Sequence, residues 1–189
     1  VEDAQDGGDT QVNARRVDLL GTPQGEGFTV ASEVTGDQSQ GQVAVAADGR
    51  FGVSWIQMVG DAPQVFVRTF DATGVATSEA QALDAGSSDE QLNPQVAVTG
   101  DDDLVVVWDS VPAGSKNDIQ SRKVSLDGTL LTDVIELGAA ESASANQLTP
   151  TVEVGLDNVG IACWQSSLLK GNGAKKGVGC QRFQVSDLS

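Results

Sequence analysis

Clustered carboxylates are the first groups in this sequence that could do chemistry. Asp3, Asp6 and Asp9 share a short glycine-containing segment, and residues 101–103 are three consecutive Asp. Calcium binds several oxygen ligands on a flexible loop, so both segments could hold it, and the first is preferred. Neither matches the EF-hand spacing or the calcium-binding nonapeptide repeat. Acidic hairpin turns without an ion are the alternative, and calcium is the one cofactor that the sequence suggests.

Lysine is rare in this acidic chain and is concentrated in a few places. Lys and Arg number 11 against 27 Asp and Glu, for a formal net charge of −16. Four of the five lysines fall where a predicted strand ending in Trp connects to the next strand. They would form one basic rim able to meet an acidic partner, although exposed loops also collect lysine for solubility. These candidate binding residues are Lys116, Lys170, Lys175 and Lys176.

The composition excludes several classes of function. With no histidine in the chain, Ser-His-Asp and Cys-His catalysis and His-ligated zinc are excluded, and no catalytic residue is assigned. The negative charge excludes a nucleic-acid binder that depends on phosphate contacts. No apolar run of about 18 residues predicts a membrane span. The chain begins with Val and has no charged-then-apolar leader, which suggests a mature or trimmed product.

The two cysteines lie on neighbouring predicted strands. Cys163 directly precedes Trp164, and Cys180 lies on the strand that follows. If these strands form a hairpin, the two side chains can face each other at disulfide distance. The bridge would restrain a Gly-rich connection predicted over residues 166–177, contributing ~2–4 kcal/mol. It would also indicate an oxidising compartment, and hence a secreted or cell-surface protein. Two buried thiols are the alternative.

An internal repeat defines the elements that position these groups. The three tryptophans are 53 and 56 residues apart, and an apolar alternation opens thirteen residues before each of them. An acidic turn and a second alternation, ending at the Trp, follow in every copy. The residues that mark the repeat are Trp55, Trp108 and Trp164, with Gln42, Gln95 and Thr151 opening the alternations.

Each unit of about 54 residues is predicted to contain four short strands, because period-two alternation with Asp/Gly turns is typical of antiparallel hairpins. One four-stranded sheet cannot bury both faces alone, so the units must stack, and radial stacking is a β-propeller. We predict an all-β, propeller-like array with about three and a half blades in a single repeat domain, residues 1–189. A β-sandwich is the alternative. The units are 10–37, 38–90, 91–146 and 147–189, the first and last partial.

The repeated pattern resembles that of a known group. Pro-x-Val-x-Val-x-x-x-Asp-x-x-Val-x-Val-Trp, followed by Val-x-x-Arg-x-Phe-Asp-x-x-Gly, is similar to the propeller-type repeats of secreted bacterial surface proteins. The resemblance covers residues 10–185 and is clearest over 94–128. It implies the propeller fold but leaves function open, because propellers include enzymes, lectins and protein docks. Asp48 and Trp55 are seven residues apart, unlike the tight turn of sialidase Asp-box repeats.

Repeated arginines and acids are expected to form salt bridges between units, with ligand binding by Arg as the alternative. The tryptophans are expected to pack between blades rather than to form a platform for sugars. Three copies and a fraction do not close a ring, since propellers usually have about four to eight blades. Two copies joined head to tail, or further blades on another chain or in a longer protein, would complete it. The repeated charges are Arg15, Arg68 and Arg122, and Glu26, Glu79 and Asp133.

Two functions follow from these observations. The first is a non-catalytic extracellular propeller module that binds protein or glycan or assembles into a larger complex. The alternative is a glycoside-active propeller enzyme, of glycosidase or lyase type. It would need two carboxylates ~5–9 Å apart near the axis, such as Asp102 and Asp157. Enzymes break the symmetry of a propeller at its axis, whereas the differences between these units are expected in one edge loop.

Overall fold

The computed structural model describes residues 2–3, 8–138, 145–169 and 174–188. These residues form fourteen strands in four antiparallel sheets and one 3-10 helix, Val185–Asp187. The predicted all-β, propeller-like array is confirmed. No helix in the described ranges has the length and apolar character of a membrane-spanning segment.

The sheets follow one another along the chain, and we number them I to IV. Sheet I consists of β1 (Glu2–Asp3), β2 (Gln11–Ala14) and β3 (Phe28–Thr29). Sheet II consists of β4 (Gln38–Val45), β5 (Phe51–Val59), β6 (Ala62–Phe70) and β7 (Gln81–Ala82). Sheet III consists of β8 (Glu90–Val98), β9 (Asp103–Val111), β10 (Asp118–Ser125) and β11 (Ile135–Leu137). Sheet IV consists of β12 (Ala145–Val154), β13 (Val159–Leu169) and β14 (Ala174–Gln184).

Strand order within each sheet follows chain order, so every sheet is an antiparallel meander. The first strands of sheets II, III and IV lie side by side, with β8 in contact with both β4 and β12. We call these three the inner strands, because they occupy the place next to the axis in a radial array. In the described residues, sheet I has no inner strand and sheet IV has no fourth strand.

Each Trp packs toward the preceding sheet and belongs to a separate core. Trp55 clusters with Val12 and Val30 of sheet I. Trp108 clusters with side chains of sheet II, and Trp164 with side chains of sheet III. All three indoles are at most 2% exposed. The prediction that the tryptophans pack between blades is confirmed, and burial of such large side chains stabilises each contact between sheets.

The inner strands contain a recurrent β-bulge that the sequence did not predict. Two residues of the strand oppose the single Trp of the neighbouring strand. The first of the two has a left-handed backbone, with φ between 49° and 53°. In sheets III and IV the second is proline, which cannot donate to the ladder and therefore suits a bulge. The pairs are Gln40 and Gly41, Asn93 and Pro94, and Thr149 and Pro150.

A buried glutamine near the start of each inner strand connects its sheet to the one before. The side chain of Gln38 accepts from the amide of Val12 at 3.1 Å and donates to the carbonyl of Ala31 at 2.9 Å. Because a polar side chain is buried at little cost only when it is hydrogen-bonded, these contacts fix how neighbouring sheets align. The corresponding contacts are Gln91 with the amide of Val65 at 2.8 Å and Gln147 with the carbonyl of Gly138 at 3.2 Å.

Two sequence-based boundaries were wrong. The strands predicted to end at Trp continue beyond it in all three sheets, because the following strand keeps pairing with them. For the same reason, the connection predicted over 166–177 is largely strand, since β13 and β14 pair from Val159 to Leu169 and from Ala174 to Gln184. Residues 170–173 lie outside the described part of the chain.

Candidate binding site

An arginine at the same position of successive sheets connects each sheet to the one before it. Arg68 Nε donates to the carbonyl of Ser78 in its own sheet at 3.0 Å, and Nη1 donates to the carbonyl of Val30 in sheet I at 2.8 Å. Arg122 makes the same pair of contacts one sheet further along. Its acceptors are the carbonyls of Thr132, at 2.8 Å, and of Leu83, at 2.5 Å.

The predicted carboxylate partners of these arginines were wrong. The ion pair of Arg68 is with Glu33, at 2.6 Å, rather than with Glu79. In the described residues Arg122 and Arg15 have no ion pair, so neither Asp133 nor Glu26 has the predicted role. Backbone carbonyls take the place of the predicted carboxylates as acceptors, because a guanidinium has five N–H donors and no acceptor.

Arg15 of sheet I makes only the first of these two contacts. Its Nε donates to the carbonyl of Gly25 in its own sheet at 3.2 Å. The second half, a carbonyl of a preceding sheet, has no counterpart within the described ranges, and the side chain of Arg15 is exposed. The two Nη nitrogens of Arg15 therefore have no protein acceptor among the described residues.

The turn after the third strand shows the same contrast. Leu126, in the turn that follows β10, is 3% exposed and packs in the core between sheets II and III. The carbonyl of the same residue accepts from Thr77 Oγ1 of sheet II at 3.2 Å. At the corresponding position of sheet I, Leu19 is fully exposed, and so is Leu20 beside it. The turn after the third strand is therefore buried between sheets II and III, whereas the equivalent turn of sheet I is exposed.

An open apolar cleft of about 510 Å³ separates the inner ends of sheets I and II. Val12 and Phe28 of sheet I and Phe51 of sheet II lie along its walls. Val43 and Val45 on β4 also line it, and they are 60% and 62% exposed. Clefts of this size with apolar walls are typical ligand and peptide sites.

The uncovered face of sheet IV differs from the equivalent face of sheet III. Cys163 and Cys180 lie directly opposite each other on β13 and β14 and form a disulfide. The predicted pairing is confirmed. On the same face Ile161 is 47% exposed, Val178 is 78% exposed, and Glu153 is exposed. Sheet III has buried Val105, Val107 and Ala97 at the corresponding positions of the face that it presents to sheet IV.

One buried carboxyl breaks the symmetry of the second strands of sheets II, III and IV. Asp109 of β9 is fully buried where sheets II and IV have Ile56 and Gln165. Its Oδ2 accepts from Asn93 Nδ2 at 2.8 Å and from the amide of Thr149 at 3.1 Å. Its Oδ1 has no hydrogen-bond partner among the described residues.

Burial raises the pKa of Asp109 to about 6, although the hydrogen bonds from Asn93 and Thr149 favour the charged form. The carboxyl joins the bulge of β8 to the bulge of β12. A carboxyl of this kind can act as a proton donor or as a pH-dependent contact between two sheets. The sequence carried a signal for it, since an Asp stands where the other units have Ile and Gln.

The acidic cluster at residues 101–103 does not converge on an ion. Asp101 accepts from Asn158 at 2.7 Å, Asp102 pairs with Arg50 at 3.2 Å, and Asp103 pairs with Lys123 at 2.9 Å. Arg50 also holds the pKa of Asp48 below its usual value by hydrogen bonding to it. These carboxylates connect neighbouring turns, so calcium at this cluster is not supported. Asp102 and Asp157 lie in turns between first and second strands, with Asp157 accepting from Val159.

The preferred calcium segment is only partly described. Asp9 Oδ2 accepts from the amide of Gly36 at 2.5 Å. Asp3 lies in β1 without a described side chain, and Asp6 lies outside the described residues. In the ranges that are described, no three acidic or cysteine side chains gather as a metal site. Calcium at Asp3, Asp6 and Asp9 stays a prediction.

The structure places one of the predicted rim lysines in a connection between strands and two of them on a strand. Lys116 is half-buried in the connection between β9 and β10. Burial and the charge of Glu136 raise the pKa of Asp118, and the charge of Lys116 opposes that shift. Lys175 and Lys176 belong to strand β14 and pair with Leu168 and Ser167. Lys170 lies outside the described residues. A binding role for these lysines stays a prediction.

Comparison with solved structures supports the fold. A crystal structure of a protein of unknown function from Dyadobacter fermentans aligns with a TM-score of 0.56 and 12% identity, over 82% of this chain and 40% of that one. An endo-arabinase from Bacteroides thetaiotaomicron aligns with a TM-score of 0.47 and 10% identity, over 90% of this chain and 64% of that one. An α-L-arabinofuranosidase from Podospora anserina aligns with a TM-score of 0.44 and 8% identity, over 76% and 53%.

The first of these similarities shows a shared fold and nothing more, because the identity is low. The other two TM-scores lie below 0.5 and carry no functional conclusion. This chain spans less than two thirds of each of the three proteins. No protein-family model matches the sequence, and no curated protein is significantly similar to it.

Proposed function

We propose that this protein is a non-catalytic, extracellular assembly module in which sheet I of one copy packs against sheet IV of a second copy. The contact is head to tail, so the two surfaces are different and each copy presents both. Such heterologous contacts close a ring if their rotation permits it and otherwise extend a filament. The resemblance of the repeats to those of secreted bacterial surface proteins supports the extracellular part of this proposal.

The unfilled half of the Arg15 pattern carries the proposal. Arg68 and Arg122 each reach a carbonyl of the preceding sheet, whereas exposed Arg15 makes only the own-sheet contact among the described residues. A guanidinium positioned in this way favours an acceptor on a docked partner, because hydrogen bonds from a charged donor are stronger than neutral ones.

Three features of sheets I and IV support a fit between copies. Exposed Leu19 and Leu20 lie at the turn end of sheet I, and exposed Leu156 lies at the turn end of sheet IV. Exposed Glu153 on sheet IV offers a carboxylate to Arg15. Apolar patches surrounded by polar groups are typical of protein interfaces.

The disulfide supports action outside the cell. Disulfides such as Cys163–Cys180 persist in oxidising compartments and are rare in the cytosol. The bond also restrains sheet IV, whose outer face would contact the partner, and a preorganised surface loses less entropy on binding.

Sedimentation equilibrium over a range of concentrations tests the assembly. The mass of the wild-type chain should rise from 19.5 kDa toward twice that value. Leu19→Asp/Leu20→Asp and Ile161→Asp/Val178→Asp should each remain monomeric, because each loses one of the two surfaces. An equimolar mixture should form dimers, because one intact surface of each kind remains. Val59→Asp, exposed at a hairpin away from both sheets, is the matched control.

A wild-type mass that stays at 19.5 kDa at every concentration would overturn the proposal. So would leucine variants that associate as the wild type does. A glycan array probed with the same proteins tests the alternative function, which is glycan binding. Binding to a glycan by both the monomeric variants and the wild type would favour glycan recognition over assembly.

A glycoside-active enzyme is the second candidate, and Asp109 is the observation that favours it. A buried carboxyl with a pKa near 6 resembles the raised acid of a glycosidase pair in its titration. Release of reducing sugars from arabinan and xylan, measured for wild type and Asp109→Asn, tests this function. Activity that the variant loses would establish it, and no release by the wild type would exclude these substrates.

A further inference from the structure

We propose that the peptide bond between Asn93 and Pro94 is a site of self-cleavage, in which the side-chain amide of Asn93 attacks its own main-chain carbonyl and Asp109 acts as the base. This activity does not depend on the assembly of copies through sheets I and IV. It concerns the interior of the array, at the boundary between sheets III and IV, and it can hold or fail separately.

An asparagine that precedes proline has one intramolecular route to a cyclic imide. In other sequence contexts the following backbone nitrogen attacks the side-chain carbonyl, but Pro94 has no N–H to lose. The remaining route is attack by Nδ2 on the main-chain carbonyl carbon of Asn93, and this attack breaks the bond to the proline. Residues 93 and 94 are the only Asn–Pro pair in the sequence.

The structure holds Asn93 by both its backbone and its side chain. It is the first residue of the bulge in β8, with a left-handed backbone at a φ of 52°. Its amide donates to Gln40 Oε1 of sheet II at 3.1 Å, and its Nδ2 donates to Asp109 Oδ2 at 2.8 Å. A reacting group that is fixed on two sides loses little entropy in reaching the geometry of attack.

Asp109 has the position and the surroundings of a base. Its Oδ2 is within hydrogen-bond distance of the nitrogen that must lose a proton. The side chain is fully buried, and Oδ1 has no hydrogen-bond partner among the described residues. Burial raises the pKa of Asp109 to about 6. The carboxylate is therefore more basic than that of an exposed aspartate, and it is still largely ionised at neutral pH.

The bulges of sheets II and IV lack both reacting groups. Neither contains an asparagine, and neither has a carboxyl at the position of Asp109. Because these two bulges form without a carboxyl, the bulge alone does not explain Asp109. The asparagine and the carboxyl depart from the repeat in the same sheet, and they contact each other. The corresponding residues are Gln40 and Ile56 in sheet II, and Thr149 and Gln165 in sheet IV.

The cleavage step needs no co-reactant. A bond forms between Nδ2 and the carbonyl carbon of Asn93, and the bond from that carbon to the nitrogen of Pro94 breaks. One proton passes from Nδ2 to Asp109 and from there to the proline nitrogen. Residues 1–93 then end in a cyclic imide, and residues 94–189 begin with a proline amine.

The two pieces are expected to stay together while the protein is folded. The first half of β8 pairs with β9 from Glu90 to Leu92, and the second half pairs with it from Gln95 to Val98. The disulfide between Cys163 and Cys180 lies within the second piece and does not connect it to the first. The cut should therefore be visible on denaturation, without reduction.

Mass spectrometry of the denatured protein tests the proposal directly. Wild-type chain incubated at neutral pH should give two fragments whose masses sum to that of the intact chain, or exceed it by one water once the imide has hydrolysed. The second fragment should begin with Pro94. Asn93→Gly should give no fragments, because glycine suits the left-handed backbone but has no amide. Asp109→Asn should slow the cleavage about a hundredfold, because it removes the base. Circular dichroism confirms that the variants fold.

Thr149→Asn is the matched control, because it places an Asn–Pro pair at the bulge of sheet IV, where Gln165 replaces the carboxyl. It should not cleave at residue 149, and cleavage there would overturn the role of Asp109. A wild-type chain that stays intact would overturn the proposal, as would fragments from Asn93→Gly or equal rates for wild type and Asp109→Asn. Leu19→Asp/Leu20→Asp should cleave as the wild type does, so failure of assembly and failure of cleavage are distinguishable.

Discussion

The boundary between sheets II and III and the boundary between sheets I and II share one design but differ at the inner end. Both contain a buried Trp at the centre, Trp108 in the first and Trp55 in the second. At the first, Val96 and Val98 are packed beneath a neighbouring strand. At the second, Val43 and Val45 are more than half exposed.

This difference indicates that the Trp core and the inner strand contribute separately to a contact between sheets. The indole core is complete wherever two sheets meet. The valines become core only where a preceding inner strand exists. A contact can therefore be buried at its centre and still leave valines exposed at its inner end.

The largest effect is expected from the shared part of the two boundaries. Trp108→Ala should lower the free energy of unfolding by ~3–5 kcal/mol, because it removes a fully buried indole and leaves a cavity. Val43→Ala, at the open boundary, should cost less than about 0.5 kcal/mol. Urea unfolding followed by circular dichroism measures both. Similar losses for the two variants would contradict the separation of core and cleft.

The next largest effect is expected from the disulfide of sheet IV, at the other end of the array. Cys163→Ser/Cys180→Ser should lower the free energy of unfolding by ~2–4 kcal/mol, because the bond restrains the unfolded chain. Amide hydrogen exchange should show the loss of protection in sheet IV rather than in sheets I and II. Uniform loss of protection would mean that the four sheets unfold as one unit.

Arg122 and Arg15 occupy equivalent positions, but Arg122 contacts a neighbouring sheet and Arg15 is exposed. Arg122→Ala should cost about 2 kcal/mol, because it removes a charged donor from a carbonyl in each of two sheets. Arg15→Ala should change the stability of the monomer by less than about 0.5 kcal/mol, because it is exposed. Thermal and urea unfolding at low protein concentration test this, and equal costs would show that Arg15 has an unrecognised partner.

A smaller effect is expected from pH at the boundary between sheets III and IV. The pKa of Asp109 is about 6 in the folded protein and near 3.8 in the unfolded chain. The folded state therefore binds the proton more tightly, and stability decreases as pH rises through 6. Between pH 5 and 8 the loss should be about 1.4 kcal/mol.

Asp109→Asn isolates this contribution, because the variant keeps the size of the side chain and cannot ionise. The stability of the wild type relative to the variant should decrease over that interval of pH. Asp37 is the control site, because hydrogen bonds from Thr10 lower its pKa and its titration lies below the interval. A constant difference between wild type and Asp109→Asn would show that Asp109 does not titrate there.

Much of the architecture could be predicted from local sequence signals. The spacing of the tryptophans predicted their burial between sheets, and the positions of Cys163 and Cys180 predicted the disulfide. The bulges were missed because Gln40 and Thr149 have no residue preference for a left-handed backbone, although a following proline could have indicated two of them. Arg68 was given the wrong partner because carbonyl acceptors have no sequence signature.

The candidate sites were harder to predict than the strands. Asp109 was identifiable as an exception among aligned units, but its burial depends on Thr149 in the next sheet. The cleft had no signal, because Val43 and Val96 belong to the same sequence pattern. Lys175 and Lys176 were placed on a loop because the lengths of β13 and β14 could not be read from their glycine-rich ends.

The sequence alone was enough to predict the repeated strand pattern, the buried tryptophans and the cysteine pair, because alternation and spacing act within one unit of the chain. Only the tertiary structure decided which copy of a repeated residue is interior and which is surface. Leu126 is core and Leu19 is exposed, and Arg122 spans two sheets whereas Arg15 reaches one. Burial depends on a neighbouring sheet that lies far away in sequence, so identical local patterns acquire different roles.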